Sequence, residues 1–248
     1  MRIALYTCIT GGYDAIHSPP VIDPRLDYYL FTDGPLPVHG PWRVRDTSSL
    51  GLSPKDQNRF VKMHPHKVLG EYDVSLYIDG SIRVVGDVHE LILNSFGSLA
   101  SVYMYEHPAR RCVYREAEIV SSISHDWIWN IAKQMRRYRR EGFPTDYGLF
   151  EANVIIRRHD DAMERLMTKW WDEYLRGVRR DQLSLTYCAW KESVEIRSLG
   201  LSDARFTNRY FSFREHPRKR SIPIALRKHI NKAVGHVVGY ERLFGLGR

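Results

Sequence analysis

Short apolar runs that stop at a glycine or an acid constrain the fold of this chain more than any other feature. Residues 3–9 end at Thr10-Gly11-Gly12, residues 28–32 end at Asp33-Gly34-Pro35, and Ser-Leu-Tyr-Ile-Asp at 75–79 ends at Gly80. Runs of this length between turn residues read as buried strands. Further strands are expected at 42–45, 101–105 and 153–157. Between them the pattern is helical. Ser53 offers a cap, Pro54 opens the first turn and Asp56 follows three residues after the cap. Asp87 begins a second helix, and helices across 115–140 end at Gly142-Phe143-Pro144. From 160 to 176, Met163, Leu166, Met167, Trp170, Trp171, Tyr174 and Leu175 fall on one face, and Gly177 closes the helix. Alternating strands and helices predict an α/β fold with a mostly parallel sheet covered on both faces. Ligands of such sheets bind beyond the carboxyl ends of the strands. That rule selects residues 10–14, Asp33, 79–81 and the loop after Arg157.

Charge divides the chain unevenly. The formal net charge is +8, yet residues 205–248 hold 11 Lys or Arg against 2 Asp or Glu, which leaves 26 basic and 27 acidic residues in 1–204. The expected organisation is a catalytic domain over 1–204 and a basic segment over 205–248. From Leu226, a helix is expected to carry Leu226, Ile230, Ala233, Val234 and Val237 on one face, with Lys228, Asn231, Lys232 and His236 pointing away. A basic amphipathic helix suits an anionic membrane surface, although the same apolar face would equally serve to pack on the domain. A neutral body without a recognition module argues against nucleic acid as a partner. Cys8, Cys112 and Cys188 are odd in number and far apart, which suggests neither a disulfide framework nor a thiolate zinc site. With no apolar run of membrane-spanning length, the expected location is cytoplasmic, with peripheral attachment at the inner face of the membrane as a further expectation.

Thr10-Gly11-Gly12-Tyr13-Asp14 follows the first strand but matches neither dinucleotide nor P-loop fingerprints. Tyr13 would stack on a base while freed backbone amides meet phosphate; the other reading is a plain tight turn. Tyr77-Ile78-Asp79-Gly80-Ser81 places a carboxylate and a hydroxyl after a strand, the oxygen ligands a hard cation takes. Arg59 and Lys62, three apart on a helix, share a face and suit phosphate. Glu151 precedes a buried strand, and Asp181, beside Gln182, stands where the next helix would be capped.

Taken together, the motifs resemble one family. Tyr6-Thr7-Cys8-Ile9-Thr10-Gly11-Gly12-Tyr13-Asp14, Arg59-Phe60-Val61-Lys62 with His64-Pro65-His66, and the 75–81 stretch come first. His107-Pro108 with Cys112-Val113-Tyr114-Arg115-Glu116-Ala117, Gly148-Leu149-Phe150-Glu151 and Arg180-Asp181-Gln182-Leu183-Ser184 follow in the same order. The chain is similar over residues 2 to about 220 to the glycosyltransferase-like family, long described as a domain of unknown function, of the plant seed-mucilage and turgor-regulation proteins and their bacterial relatives. The resemblance implies a GT-A fold and a sugar donor carried on a nucleoside diphosphate. It implies a hexosyltransferase-type enzyme of surface polysaccharide biosynthesis, acting on a glycan or lipid-linked acceptor. It also implies roles: Asp79, Glu151, Asp181 and Gln182 in catalysis, and Thr7, Thr10, Gly11, Tyr13, Asp33, Arg59, Lys62 and Lys219 in donor binding. Asp79, Ser81 and His216 would hold Mn²⁺ or Mg²⁺, with Ser81 in place of the second carboxylate of an Asp-x-Asp motif. Two alternatives stay open at this point: a nucleotide- or glycan-binding protein without turnover, and a hydrolase built on Glu151 and Asp181.

Overall fold

The computed structural model describes residues 1–97, 100–201, 208–213 and 222–246, with side chains from Ala225 onward in the last stretch. The strands are β1 (Ile3–Cys8), β2 (Asp27–Thr32), β3 (Arg43–Asp46), β4 (Val74–Ile78), β5 (Ile82–Val84), β6 (Val102–Glu106), β7 (Phe150–Arg158), β8 (Ile196–Ser198) and β9 (Phe211–Phe213). The helices are α1 (Pro54–Met63), α2 (Pro65–Val68), α3 (Val88–Ser95), α4 (Val113–Ser122), α5 (Ile128–Arg140), α6 (Asp161–Arg176), α7 (Leu185–Glu192), α8 (Ile222–Val238) and α9 (Tyr240–Phe244).

Seven strands make one sheet in the order β3-β2-β1-β4-β7-β6-β8, and β5 and β9 make a separate antiparallel ribbon. The expected α/β architecture, a mostly parallel sheet flanked by helices, is present. Every pairing in the large sheet is parallel except the two made by β7, which runs against β4 and β6. This reversal moves one expected site. The loop after Arg157 lies at the far edge of the sheet, where Arg158 pairs with Val74 and the His159 N–H bonds Asp73 O. The start of β7, with Glu151, lies instead at the edge where β1, β2 and β4 end.

Both faces of the sheet are covered. Tyr6, Tyr77 and Ile155 pack with Val61 of α1 and Met167 and Trp170 of α6, all buried. On the other face Leu5, Leu30, Leu76 and Val154 pack with Ile92 of α3 and Phe211 of β9. Local signals set the helix starts. The Ser53 hydroxyl caps α1 by accepting the Asp56 N–H, Asp87 caps α3 at the Glu90 N–H, and Asp160 caps α6 at the Met163 N–H. The apolar stripe of α6 is narrower than its periodicity suggests, since Trp171 is half-buried and Leu175 is exposed. The described parts of 205–248 pack on the body, with Phe211 and Phe244 fully buried in its cores.

Candidate functional site

Helix α1 lies against the carboxyl end of β1. Thr10 donates its hydroxyl to Pro54 O at 2.5 Å, and Asn58 donates its amide to Cys8 O at 2.5 Å. Gly11 carries φ +64°, and a side chain there would stand 3.0 Å from Pro54 Cβ, so glycine allows the close approach. Its N–H is taken by Asp33 at 2.8 and 3.1 Å, which pins the β1 loop to the end of β2. Tyr13 is exposed at this loop, whereas Thr7 is buried inside β1.

The docking of α1 delivers Lys62 and Arg59 to the sheet edge. Lys62 Nζ, almost fully enclosed, lies 2.9 Å from Asp181 Oδ2 and 3.4 Å from Asp79 Oδ1. Arg59 Nε stands 3.2 Å from the same Asp181 oxygen as an ion pair, without hydrogen-bond geometry. Asp79 Oδ1 also accepts the Tyr77 hydroxyl at 2.8 Å. Burial opposes the Asp181 charge, but Arg59, Lys62 and Arg180 outweigh it and hold the carboxyl well below the usual range. Burial likewise opposes the Arg59 charge, and Asp181 and Asp79 outweigh it, raising the guanidinium above its ordinary value. The site therefore holds fixed charges of both signs whatever the neutral-range pH.

A second buried cation braces this arrangement from behind. Arg157, fully buried on β7, donates to the main-chain carbonyl of Lys62 and to the Tyr6 hydroxyl. Burial pulls its guanidinium below the ordinary value, and burial pushes the Tyr6 phenol up to about 12. This contact ties the backbone at Lys62 to β1 and β7 at once. It carries no sequence signature, because an arginine inside an apolar strand run looks like an edge residue.

Asp181 is not a helix cap. It opens a 3-10 turn over Asp181–Leu183, and α7 starts later, behind Ser184. Its carbonyl accepts Trp170 Nε1 at 2.9 Å, and its Oδ1 accepts the Gln182 N–H at 3.1 Å. Gln182 then reaches β7, donating its amide to Phe150 O at 3.3 Å and accepting from Arg180 at 2.9 Å. Glu151, next along β7, has Oε1 at 3.4 Å from His107 Nε2. His107 Nδ1 accepts the N–H groups of Ala109 and Arg110, both at 3.1 Å, and its Nε2 lies 2.7 Å from the guanidinium nitrogen Nη2 of Arg110 as well as near Glu151. Glu116 completes this cluster, accepting from Arg110 Nε at 2.6 Å. Of the expected site residues, Asp79, Lys62, Arg59 and Asp181 are thus in direct contact, Thr10, Gly11 and Asp33 are joined at the β1 loop, and Glu151 lies along the same edge beside His107, which was not expected.

At the Asp79-Gly80-Ser81 turn, the Ile82 N–H closes on Asp79 O at 2.9 Å. A side chain at Gly80 would meet Asp14 Oδ2 at 2.8 Å and Ile9 Cγ1 at 3.1 Å. Asp14, within the 10–14 stretch expected at this edge though not expected as a cation ligand, therefore brings a second carboxylate to the turn. Among the described residues, no three His, Cys, Asp or Glu side chains converge as an all-protein metal cage. One carboxylate and one hydroxyl at the turn do fit a cation of the Mg²⁺ kind, which is commonly held by one or two carboxylates together with substrate phosphates. His216 and Lys219 lie outside the described residues. Phe213, the last described residue before them, pairs with Ile82, next to Ser81.

A comparison with curated proteins finds no match. Among solved structures, the chain is similar to mouse xyloside xylosyltransferase 1 in its apo form, with 11% identity, a TM-score of 0.46, and coverage of 80% of this chain and 84% of that one. Residues 37–209, more than half of the chain, match the model of the TOD1/MUCI70 glycosyltransferase-like domain, and the chain belongs to that family.

Proposed function

We propose that the protein is a GT-A-type glycosyltransferase, moving a sugar of the hexosyl kind from a nucleoside-diphosphate donor to a glycan or lipid-linked acceptor in surface polysaccharide biosynthesis. The observation that carries this reading is the Lys62 ammonium, enclosed between Asp79 and Asp181 beyond the ends of the parallel strands. Transfer of a glycosyl group leaves a diphosphate whose growing charge must be met by fixed cations. Arg59, Lys62 and Arg180 supply those cations; Asp181 holds Arg59 and Lys62 in place before the donor arrives, and Gln182 accepts from Arg180. Asp79 and Ser81 would hold a divalent cation through carboxylate and hydroxyl oxygens, with Asp14 beside the turn; such a cation would add Lewis-acid neutralisation of the diphosphate. Glu151, a carboxylate at the same strand edge with His107 3.4 Å away, is suited to accept the proton of an incoming hydroxyl.

A hydrolytic pair made of Glu151 and Asp181 is disfavoured by the charges. Asp181, held anionic, cannot be the general acid, and as base or nucleophile its carboxylate is buried and already engaged by Lys62 and Arg59. The binding-protein alternative draws on Ser81, which leaves the turn one carboxylate short of Asp-x-Asp. Turnover decides between them. The purified chain, incubated with a panel of UDP-, GDP- and CMP-sugars with and without Mn²⁺ and Mg²⁺, is expected to release nucleotide from one donor class. Binding without release from any donor would leave the non-catalytic reading standing.

A further inference from the structure

Helix α8 is attached to the body by its polar side. Arg227 donates to Ser124 Oγ at 2.9 Å and to Ser124 O at 2.6 Å. One turn on, Asn231 is fully buried: its Oδ1 accepts the Ile128 N–H at 3.0 Å, and its amide donates to Ser121 O at 3.0 Å and Asp126 O at 2.7 Å. Another turn on, Gly235 lets Tyr240 approach so closely that a Cβ would stand 2.2 Å from the ring. Asn231 thus points away from the apolar face, as expected, and toward the domain. Three main-chain groups at the α4–α5 junction have claimed its amide, and the helix is rotated accordingly.

The rotation turns the apolar residues outward. Leu226 is 66% exposed and Val237 is 87% exposed, with Ala233 exposed between them and Ile230 half-buried alongside. Spaced at 226, 230, 233 and 237, they form one stripe along the helix. His229 and His236 are exposed next to it, Lys232 and Lys228 follow successively further round the same exposed arc, and α8 contains no acidic residue. Ile123, which follows α4, and Trp129, in the first turn of α5, are both more than half exposed and flank the same junction. Single exposed apolar side chains are ordinary on any protein; a continuous stripe sharing an exposed arc with basic residues and no acid is not.

We infer that the outward face of α8 is a peripheral docking surface for an anionic membrane, the apolar stripe entering the headgroup boundary and Lys228 and Lys232 meeting lipid phosphates. Charge complementarity selects this occupant. A second copy meeting this face through a two-fold axis would bring Lys228 and Lys232 against their equivalents, a like-charge contact that opposes pairing. No described helix is long and apolar enough to cross a membrane, so contact through α8 is contact at the surface.

Flotation of the full chain with vesicles tests the inference. The protein is expected to float with phosphatidylcholine vesicles containing phosphatidylglycerol, to stay behind with pure phosphatidylcholine, and to be released by high salt. Lys228→Gln with Lys232→Gln is expected to weaken binding about 30-fold, from roughly fivefold per lysine. Leu226→Glu with Val237→Glu is expected to abolish it. All four positions are exposed, and unchanged circular dichroism and melting would show that each variant is folded. The inference is overturned if the intact chain ignores the anionic vesicles. It is overturned equally if either double variant floats as well as the parent, because the basic residues of 214–220 would then suffice. A salt-resistant dimer in sedimentation velocity, lost in Leu226→Glu with Val237→Glu, would assign the stripe to a second copy and overturn the inference too.

Discussion

Asp79→Ala is expected to lower donor turnover by about 100-fold to 1,000-fold, the usual loss when one group stabilising transition-state charge is removed, while the protein remains folded. The two halves of this expectation rest on different observations. Asp79 Oδ1 lies 3.4 Å from Lys62 Nζ and 2.8 Å from the Tyr77 hydroxyl, at the turn where the donor diphosphate is proposed to sit. Yet the Asp79 side chain is 33% exposed, and Lys62 keeps its 2.9 Å contact with Asp181 when Asp79 is gone. No charge is stranded, so the melting temperature should shift little. Single-turnover release of nucleotide and a thermal melt on the same preparation separate the two effects. Near-parental turnover in a folded variant would remove Asp79 from the reaction.

The opposite pattern is expected of Asp181→Ala. That substitution leaves Lys62 and Arg59 buried without their shared carboxylate, and breaking a buried ion pair from one side costs about 3–5 kcal/mol. Chemical denaturation at neutral pH reads this loss directly. The pH dependence of stability carries the same signature. A carboxyl held well below its ordinary value stabilises the fold above the unfolded carboxylate value of about 4 and loses that contribution as pH falls below it toward the folded value. Asp181→Asn, which keeps the shape but not the charge, should therefore flatten the acid limb of the stability curve. An unchanged acid limb would mean that the charge at 181 is not coupled to folding.

Asp79 and Lys62 were legible in the sequence because each depends on local geometry. A strand that stops at Asp-Gly places its carboxylate at the sheet edge, and an i, i+3 spacing puts Arg59 and Lys62 on one helical face. Asp181 was legible as a position but not as a partner: its ammonium contact comes from a residue 119 positions away. Nothing within a few residues of Asp181 distinguishes an ion-pair carboxylate from a capping one. The direction of β7 was hidden for a related reason. Two helices separate β6 from β7, and a buried apolar run has the same periodicity whichever way it runs. The three-residue strands β5, β8 and β9 are too short to show alternation at all. On α8 the helical wheel ranked side chains by polarity. The fold instead ranked them by unsatisfied main-chain groups, and Asn231 met three of them.

The central claim is that Arg59 and Lys62 form a diphosphate site beyond the ends of β1, β2 and β4. Calorimetric titration with UDP-, GDP- and CMP-nucleotides, with and without Mn²⁺, tests it most directly when run on the parent and on Arg59→Ala. Saturable binding of one nucleoside diphosphate at a single site is expected in the parent. Its weakening by about tenfold or more in the variant follows from the loss of one charge-assisted contact. Failure of every nucleotide to bind, with or without the metal, or equal affinity in the two proteins, would contradict the account.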